Sequence, residues 1–399
     1  MAKNNQSDIV IVGGGAVGSV LARLLVRQGR HSVTLIDANQ FSRDPHSHPG
    51  FDARVIALAK RTEQALTELG IDLNKAFATP IEHIHILVSD QGFIGQTRLH
   101  ASDYQSQSFG QVVGIQALGQ QLFPAGLPEL SVLEGVTVDE VNQSADSIEL
   151  QLSNGSTLTA GLLVLADGGR SELADKLNFK RSSEDYGQSA LIANVQLSEP
   201  HNGWAHERFT PNGPLALLPF AEDDSSDYAN CYSLVWTLSH DEAEAALAWP
   251  QAKFISRLQQ QIGHRHGVIN KVGSRHSYPL MLNQIREFTS HRCVVVGNGA
   301  QALHPIAGQG FNLGLRDVLE LGDILANAND PGAFAVLNQY RQKRVKDKAI
   351  TIGLTDGLVR LFSNRYAPLV VGRNAGLLAM EFCDGLSQKF VRQTMGFGQ

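Results

Sequence analysis

Short apolar runs that end at turn-forming residues organise the beginning of this sequence. Residues 8–12 are almost continuously apolar, which is typical of a central parallel strand buried on both faces. A stripe of leucines with helical spacing follows and ends near Gly29, and residues 33–36 form a second apolar run that leads to Asp37. The pattern therefore predicts a strand, a helix and a second strand in a βαβ unit.

Two later runs repeat this form. Residues 162–166 lead into a turn at Asp167, and residues 293–296 lead into a glycine-rich loop, after which helix-like sequence begins near Asn312. Between them, residues 182–282 show alternating strands separated by polar loops, which indicates an antiparallel sheet.

The sequence thus predicts an α/β fold in which a discontinuous Rossmann-like domain is interrupted by an antiparallel-sheet domain and followed by helices. Residues 83–88 and 97–101 predict a hairpin of the sheet domain, and residues 118–130 are expected to be helical. We assign residues 1–80, 101–181 and 283–345 to the nucleotide-binding domain, residues 81–100 and 182–282 to a substrate domain, and residues 346–399 to a helical C-terminal segment.

Composition and charge narrow the function classes. The chain of 399 residues is 43% hydrophobic and 18% charged, as in an ordinary globular protein, and its net charge of -6 gives no electrostatic basis for binding nucleic acid. The three cysteines, Cys231, Cys293 and Cys383, form no close pair, and the N-terminus lacks an apolar signal segment, so a cytoplasmic location is expected. No run of about 20 apolar residues predicts a membrane span.

Gly13, Gly15 and Gly18 follow the first predicted strand and open the helix, which is the context that a dinucleotide-binding fingerprint requires. The first glycine permits a tight turn, the second lets the backbone approach a pyrophosphate, and the third lets helix and strand pack closely. Asp37, at the end of the second strand, is positioned to accept hydrogen bonds from the adenosine ribose. This motif predicts a bound dinucleotide and does not decide between NAD and FAD.

No metal site is predicted. Three pairs of histidines are two residues apart, which on a strand places both side chains on one face, but no carboxylate or cysteine pattern completes a zinc site. The pairs are His46/His48, His83/His85 and His264/His266.

The third glycine-rich segment favours FAD. A strand that ends at Gly297 and Asn298, a glycine-rich loop and a helix can direct backbone N–H groups at a flavin pyrimidine. Together the three segments resemble those of the aromatic hydroxylases with a single FAD domain that are related to para-hydroxybenzoate hydroxylase, over essentially the whole chain. That family usually has aspartate where this chain has Asn298, whose amide oxygen can still accept from a ribitol hydroxyl.

The resemblance implies roles for individual residues. Pro305 would belong to a loop over the flavin face where oxygen reacts, and His304 beside it would either exchange protons or only shape this loop. Arg54 would contact the flavin, with a surface ion pair as the alternative, and Asp167 would serve FAD and NAD(P)H, with a simple turn as the alternative. The expected cofactor-binding residues are Gly13, Gly15, Gly18, Asp37, Arg54, Asp167, Gly168, Asn298, Gly308, Gln309, Gly310 and Asn312.

One branch of the family is most similar, the hydroxylases of ubiquinone biosynthesis that act on a 2-polyprenyl-6-methoxyphenol. Residues 297–317 carry this similarity, and residues 51–58 and 207–209 resemble the ubiquinone hydroxylases generally. It implies that NADH or NADPH reduces FAD, that O₂ adds to the flavin as a C4a-hydroperoxide, and that one oxygen passes to the ring of a polyprenylated phenol to give the 6-methoxy-1,4-benzoquinol. A phenol activates its own ring, so no strong protein base is expected.

Other functions stay open on the same fold. They are another ring hydroxylase of the same pathway, a flavin halogenase or prenyl reductase, and a flavin-bearing scaffold subunit of a biosynthetic complex. The apolar stretches 354–362 and 367–382, interrupted by arginines, either dock the protein peripherally on the inner membrane or on other ubiquinone-biosynthesis proteins, or pack on its own core.

Overall fold

Two large sheets, a small sheet and a set of helices make up the computed structural model, which describes residues 6–40, 54–88, 95–123, 126–210, 212–223, 228–303, 309–362, 374, 376 and 384–397. The strands are β1 Gln6–Val12, β2 Val33–Asp37, β3 Val55–Ala59, β4 Thr79–Pro80, β5 His83–Val88, β6 Gln96–His100, β7 Gly110–Gly114, β8 Leu130–Glu134, β9 Val138–Gln143, β10 Ile148–Leu152, β11 Thr157–Leu165, β12 Arg181–Leu197, β13 Trp204–Thr210, β14 Gly213–Pro219, β15 Cys231–Ser239, β16 Ile269–Val272, β17 His276–Ile285, β18 Thr289–Ser290, β19 Cys293–Val295 and β20 Gln301–Ala302. The helices are α1 Ala16–Gln28, α2 Lys60–Glu68, α3 Ile115–Leu122, α4 Leu173–Lys176, α5 His240–Ala248, α6 Gln251–Ile262, α7 Gln309–Leu325, α8 Phe334–Phe362 and α9 Asp384–Thr394.

The first sheet contains the predicted βαβ unit. Its strand order is β18-β19-β11-β1-β2-β8, with β10 and β9 added beside β11. Strands β1, β2, β11 and β19 run parallel, so the three predicted apolar runs that precede glycine-rich turns lie side by side. The turns at Gly13, Asp167 and Gly297 therefore meet at one edge of the sheet. Helix α1 ends at Gly29, whose left-handed φ of 62° closes the helix as the sequence predicts.

The second sheet is the predicted antiparallel sheet. Its order is β20-β17-β12-β15-β14-β13-β5-β6, with β16 beside β12. The predicted hairpin is present as β5 and β6. This hairpin comes from a distant part of the chain and attaches at the edge of the sheet. Its strand β5 pairs in parallel with β13. The discontinuous α/β fold with an inserted antiparallel sheet is thus confirmed.

The helix predicted over residues 118–130 is shorter than expected. Helix α3 ends at Leu122, and β8 already begins at Leu130. Phe123, with φ -57° and ψ 124°, has left the helical region, as expected for the residue that precedes a proline. The guanidinium of Arg23 in α1 donates to the backbone carbonyls of Leu122 at 2.7 Å and of Phe123 at 2.6 Å. These are carbonyls that a helix end leaves without an internal donor.

The predicted boundary between residues 345 and 346 falls inside α8, which runs unbroken from Phe334 to Phe362. The helix therefore spans both predicted segments. The other domain limits stay a prediction, although the sheet memberships of β5, β6 and β12–β17 agree with them.

The two faces of the second sheet have different partners. One face packs on α5 and α6, where Trp236 lies edge-on to Phe254 with the ring centroids 5.9 Å apart. Side chains alternate along a strand, so Ile192 and Val235 face the opposite way, toward the first sheet. This second face forms one wall of the cavity described next.

Candidate active site

A cavity of about 1000 Å³ lies between the edge of the first sheet and the inner face of the second. It brings together most of the predicted cofactor-binding residues, namely Gly13, Gly15, Asp37, Arg54, Asp167, Gly168, Asn298, Gly310 and Asn312. Gly18 packs behind this wall, and Gln309 begins α7. His304, Pro305 and Gly308 lie outside the described residues.

The loop between β1 and α1 requires glycine at two positions. Gly13 has a φ of 109°, and a Cβ there would lie 2.6 Å from the backbone of Ala166. A Cβ at Gly18 would lie 1.9 Å from the carbonyl oxygen of Gly13. These contacts are the tight turn and the close helix–strand packing that the first and third glycines of the fingerprint allow.

Helix α1 presents its N-terminus to the cavity at Gly15. No side chain caps this end, and the first turn carries no acidic residue. The first N–H groups of a helix lack internal acceptors, and the helix dipole makes this end positive. This donor set fits the diphosphate of a dinucleotide.

Asp37 is buried at the adjoining end of β2 and lines the same cavity. Its Oδ2 accepts the Gly14 N–H at 2.5 Å, and its Oδ1 accepts the backbone N–H of Asn39 at 2.7 Å. The carboxylate therefore holds the glycine-rich loop in place while lying where the sequence predicts a contact with ribose.

The middle turn is built around the side chain of Asp167. Its carboxylate accepts the backbone N–H groups of Gly169 at 2.9 Å and of Ser171 at 2.8 Å. Gly168 and Gly169 both have positive φ, of 70° and 76°, which favours glycine. The turn that the sequence offers as an alternative is present, and it places Asp167 and Gly168 on the cavity wall.

The third segment reaches the cavity through a short 3-10 turn and the start of α7. Asn298 is exposed on this turn and lines the cavity. At Gly310 an added Cβ would meet no atom within 4 Å, so the first turn of α7 borders open space. Asn312 lines the cavity and also connects α7 to β3. Its side-chain amide accepts a hydrogen bond from the Ala59 N–H at 2.8 Å and donates to the Ala57 carbonyl oxygen at 2.9 Å.

A buried ionic network supports this third turn from below. Asp317 of α7 accepts the Gly297 N–H at 3.2 Å and the Gln301 side-chain amide at 2.9 Å, and pairs with Arg344 at 2.8 Å and Lys348 at 3.3 Å. Burial alone would raise the pKa of Asp317. The positive charges of Lys348 and Arg344 outweigh burial and lower this pKa below its ordinary value, so the carboxylate stays charged. The network fixes the backbone that carries Asn298 to helices α7 and α8.

Arg54 lies on the wall of the cavity. It is half-buried, and its guanidinium carbon is 5.3 Å from the ring centroid of Tyr278 on β17. This distance is within the range of a cation–π contact. The side chain therefore stands where the first sheet's half of the cavity meets the second sheet.

The other half of the cavity is an apolar wall that contains one carboxylic acid. In the strand register, Glu207 of β13 is opposite Ala216 and Ile86, and the row continues through Val235 and Ile192. All of these residues line the cavity. Burial raises the pKa of Glu207 to about 8.

Glu207 is not among the site residues predicted from the sequence, although residues 207–209 carry part of the family resemblance. A usable signal was the alternation along β13, because Ala205, Glu207 and Phe209 share one face and the two neighbours of the acid are apolar. Leu358 and Leu361 of α8 also line the cavity, so this part of the apolar stretch 354–362 faces the protein interior, whereas Leu354 borders the cavity and is 37% exposed. Most of the stretch 367–382 lies outside the described residues.

A second cluster, on the far face of the same sheet, joins three histidines that the sequence spacing did not connect. One ring nitrogen from each of His85, His206 and His266 lies within 4.8 Å of the others. The surroundings are basic, since Arg98, Arg208 and Arg265 all lower the pKa of His266. Burial is nevertheless the larger cause, and the pKa falls to about 4 for His266 and about 2 for His206.

This cluster predicts that the protein loses stability in acid. In the unfolded chain His266 becomes protonated near its ordinary pKa of 6.5. In the folded protein its pKa is about 4, so the ring stays neutral until the pH is that low. The free energy of unfolding therefore falls as the pH is lowered from 6.5 to 4. In urea unfolding at several pH values, His266→Gln should show a shallower fall, and the exposed His276→Gln should follow the wild type. Equal slopes for His266→Gln and wild type would contradict the prediction.

In the described part of the chain, no helix is both long and apolar enough to cross a membrane.

Sequence comparisons with known proteins are consistent with a dinucleotide-binding cavity. The FAD-binding domain family matches residues 6–349. The chain is 36% identical to ubiquinone hydroxylase UbiL of Rhodospirillum rubrum over 98% of this chain and 90% of the relative. It is 28% identical to 3-demethoxyubiquinol 3-hydroxylase of Escherichia coli over 98% of this chain and 99% of that enzyme.

Solved structures show the same fold at low sequence identity. The p-nitrophenol 4-monooxygenase PnpA of Pseudomonas putida superposes with a TM-score of 0.77 at 17% identity, over 98% of each chain. PqsL of Pseudomonas aeruginosa, a probable FAD-dependent monooxygenase, gives a TM-score of 0.75 at 18% identity, over 93% of this chain and 99% of its own. With the three glycine-bearing turns meeting at one cavity, the chain belongs to the FAD-binding domain family and is an FAD-dependent monooxygenase that uses NAD(P)H.

Proposed function

We propose that this monooxygenase hydroxylates the ring of a prenylated phenol in ubiquinone biosynthesis. The observation that carries the proposal is the shape of the cavity, which joins the three cofactor segments to the apolar inner face of the second sheet without a dividing wall. A prenyl tail needs an apolar surface, and a phenol ring needs a position next to the flavin. Both requirements are met within one space, and the names of the curated relatives support the same pathway.

Different residues along this cavity would bind different parts of FAD and of the substrate. The N-terminus of α1 and Gly15 would bind the diphosphate, Asp37 would orient the adenosine ribose, and the turn at Asn298 would position the flavin ring system. FAD, when bound, supplies the electrons from NAD(P)H and the activation of O₂. The apolar side chains of the second sheet and of α8 exclude water from the ring of the substrate.

The finer proposal concerns the position on the ring. We infer that the substrate is a 2-polyprenyl-6-methoxyphenol and the product the 6-methoxy-1,4-benzoquinol, because residues 297–317 resemble that branch of the hydroxylases. The E. coli relative is named for hydroxylation at a different position, so another ring carbon of the same pathway is the competing possibility.

A pair of deletion strains distinguishes the two positions. The gene is introduced into ubiquinone-producing bacteria that lack either the methoxyphenol hydroxylase or the hydroxylase that acts on the later, methylated methoxy-quinol ring. Ubiquinone, extracted and quantified by mass spectrometry, should return in the first strain and not in the second. Rescue of the second strain alone would move the reaction to the other carbon, and rescue of neither would overturn the pathway.

A further inference from the structure

The inner face of the second sheet carries one feature that a purely apolar tail-binding wall would not require. Glu207 projects among Ile86, Ala216 and Val235, and these neighbours offer it no hydrogen-bond donor. Glu207 is half-buried because it faces the space of the cavity, and a polar group in apolar surroundings costs free energy unless it is hydrogen-bonded. A side chain in this position gains a partner when a ligand with a hydroxyl group enters the cavity.

The surroundings of Glu207 leave a bound ligand as that partner. Burial is the one cause that shifts its pKa among the described residues, and no neighbouring charge contributes. The other titratable side chains that line the described cavity are Arg54, His206, Tyr278 and, toward the dinucleotide loop, Asp37, Asp167 and Arg170. His206 follows the opposite side-chain alternation and packs its ring against His266, with the centroids 3.7 Å apart.

We propose that Glu207 binds the phenol hydroxyl of the substrate and accepts its proton during hydroxylation. The inference rests on the proposed function and adds a catalytic residue to it. The phenol O–H bond breaks, the proton moves to a carboxylate oxygen of Glu207, and the electron pair stays on the phenol oxygen. Its charge spreads onto the ring, which raises the electron density at the carbon that takes up oxygen.

After the new C–O bond has formed, the hydrogen on that ring carbon leaves as a proton and the ring becomes aromatic again. This proton and the second oxygen atom of O₂ end in water. The proton on Glu207 then returns to the ring oxygen, so the carboxylate is restored and the product is the hydroquinone. The oxidant is O₂ and the reductant is NAD(P)H, both of which the monooxygenase reaction already uses.

A carboxyl with a pKa of about 8 suits this task. A base is most effective when its pKa is close to the operating pH, because it is then available in the deprotonated form and still binds the proton firmly enough. An exposed glutamate, with an ordinary pKa of about 4.3, would be too weak a base for a phenol. The apolar wall therefore both binds the tail and adjusts the acid.

The test is single-turnover hydroxylation by the holoenzyme, reduced beforehand and mixed with O₂ and a short-tailed 2-prenyl-6-methoxyphenol. Wild-type protein should form the hydroquinone faster as the pH is raised through about 8. Glu207→Gln should be about 100-fold slower or more, within the range of general-base catalysis, and should lose this dependence on pH. Glu207→Asp keeps a carboxylate and should retain the pH dependence at a reduced rate.

Two measurements separate a proton acceptor from a structural residue. Flavin content and the rate at which NAD(P)H reduces the flavin should be unchanged in Glu207→Gln, because neither involves the phenol. Glu244→Gln, an exposed substitution on α5, is the matched control and should hydroxylate like wild type.

The outcomes distinguish this inference from the function on which it rests. Wild-type protein that does not hydroxylate the phenol would overturn the proposed function and this inference together. A Glu207→Gln variant that forms product at the wild-type rate, or that keeps the rise with pH, would overturn the role of Glu207 alone.

Discussion

Valine in place of Gly15 is expected to abolish FAD binding while leaving the protein folded. Gly15 is the N-cap of α1 and has a φ of -63° and a ψ of -177°, which valine can also adopt, so the backbone has no reason to change. The branched side chain would nevertheless occupy the point where the diphosphate must approach the N–H groups of the helix. We expect at least about 100-fold weaker binding, or about 3 kcal/mol.

FAD absorbance after gel filtration and titration of the apoprotein with FAD measure this effect. Gly353→Val provides the matched control, because Gly353 lies on the exposed side of α8 and an added Cβ meets nothing within 4 Å. The control should bind FAD like wild type. Full flavin content in the Gly15→Val protein would show that the diphosphate does not lie at this loop.

Asparagine in place of Asp317 is expected to lower the free energy of unfolding by about 3–5 kcal/mol, because it removes one partner of a buried ion pair. Arg344 and Lys348 are both almost fully buried and would lose their shared carboxylate. Burial already lowers the pKa of Lys348 to about 8, with Asp317 opposing the shift, so the loss of Asp317 should lower this pKa further. The turn at Gly297, which donates to Asp317, should also lose its support.

Urea unfolding of wild type and variant at pH 7 measures the difference. Asp323→Asn is the control on the same helix, because Asp323 is exposed and a surface substitution changes stability by no more than about 0.5 kcal/mol. A cost for Asp317→Asn as small as that of the control would mean that the network contributes little to the fold.

The elements that the sequence predicts well are those in which local pattern and environment agree. Strands β1, β2, β11 and β19 are short apolar runs because they are buried on both faces, and each ends at a turn residue that the backbone requires. Gly13 and Gly18 could be assigned from spacing alone, since the contacts with Ala166 and with the Gly13 carbonyl leave no room for a side chain. Asp167 and Asn312 also line the cavity, and their side chains hold the middle turn and β3 in place.

Interactions between distant segments were harder to predict. The last carbonyls of α3 accept hydrogen bonds from Arg23, about 100 positions earlier in the chain. The histidine cluster joins strands β5 and β13 to a residue before β16, and no spacing within a single segment shows that contact. Hydrophobic and polar patterns depend on neighbours along the chain, whereas these groups become neighbours only after folding.

The sequence by itself determined the class of protein, because a dinucleotide loop, an Asp-Gly turn and a glycine-rich third segment each need particular residues in a fixed order, and backbone geometry enforces that order. The tertiary structure decided which side chains face the substrate. Glu207 stands in a strand whose residues alternate between two buried faces, and the choice between histidine cluster and cavity depends on how β13 pairs with β5 and β14. Burial then gives this acid its raised pKa, a property of the assembled cavity that no residue type carries alone.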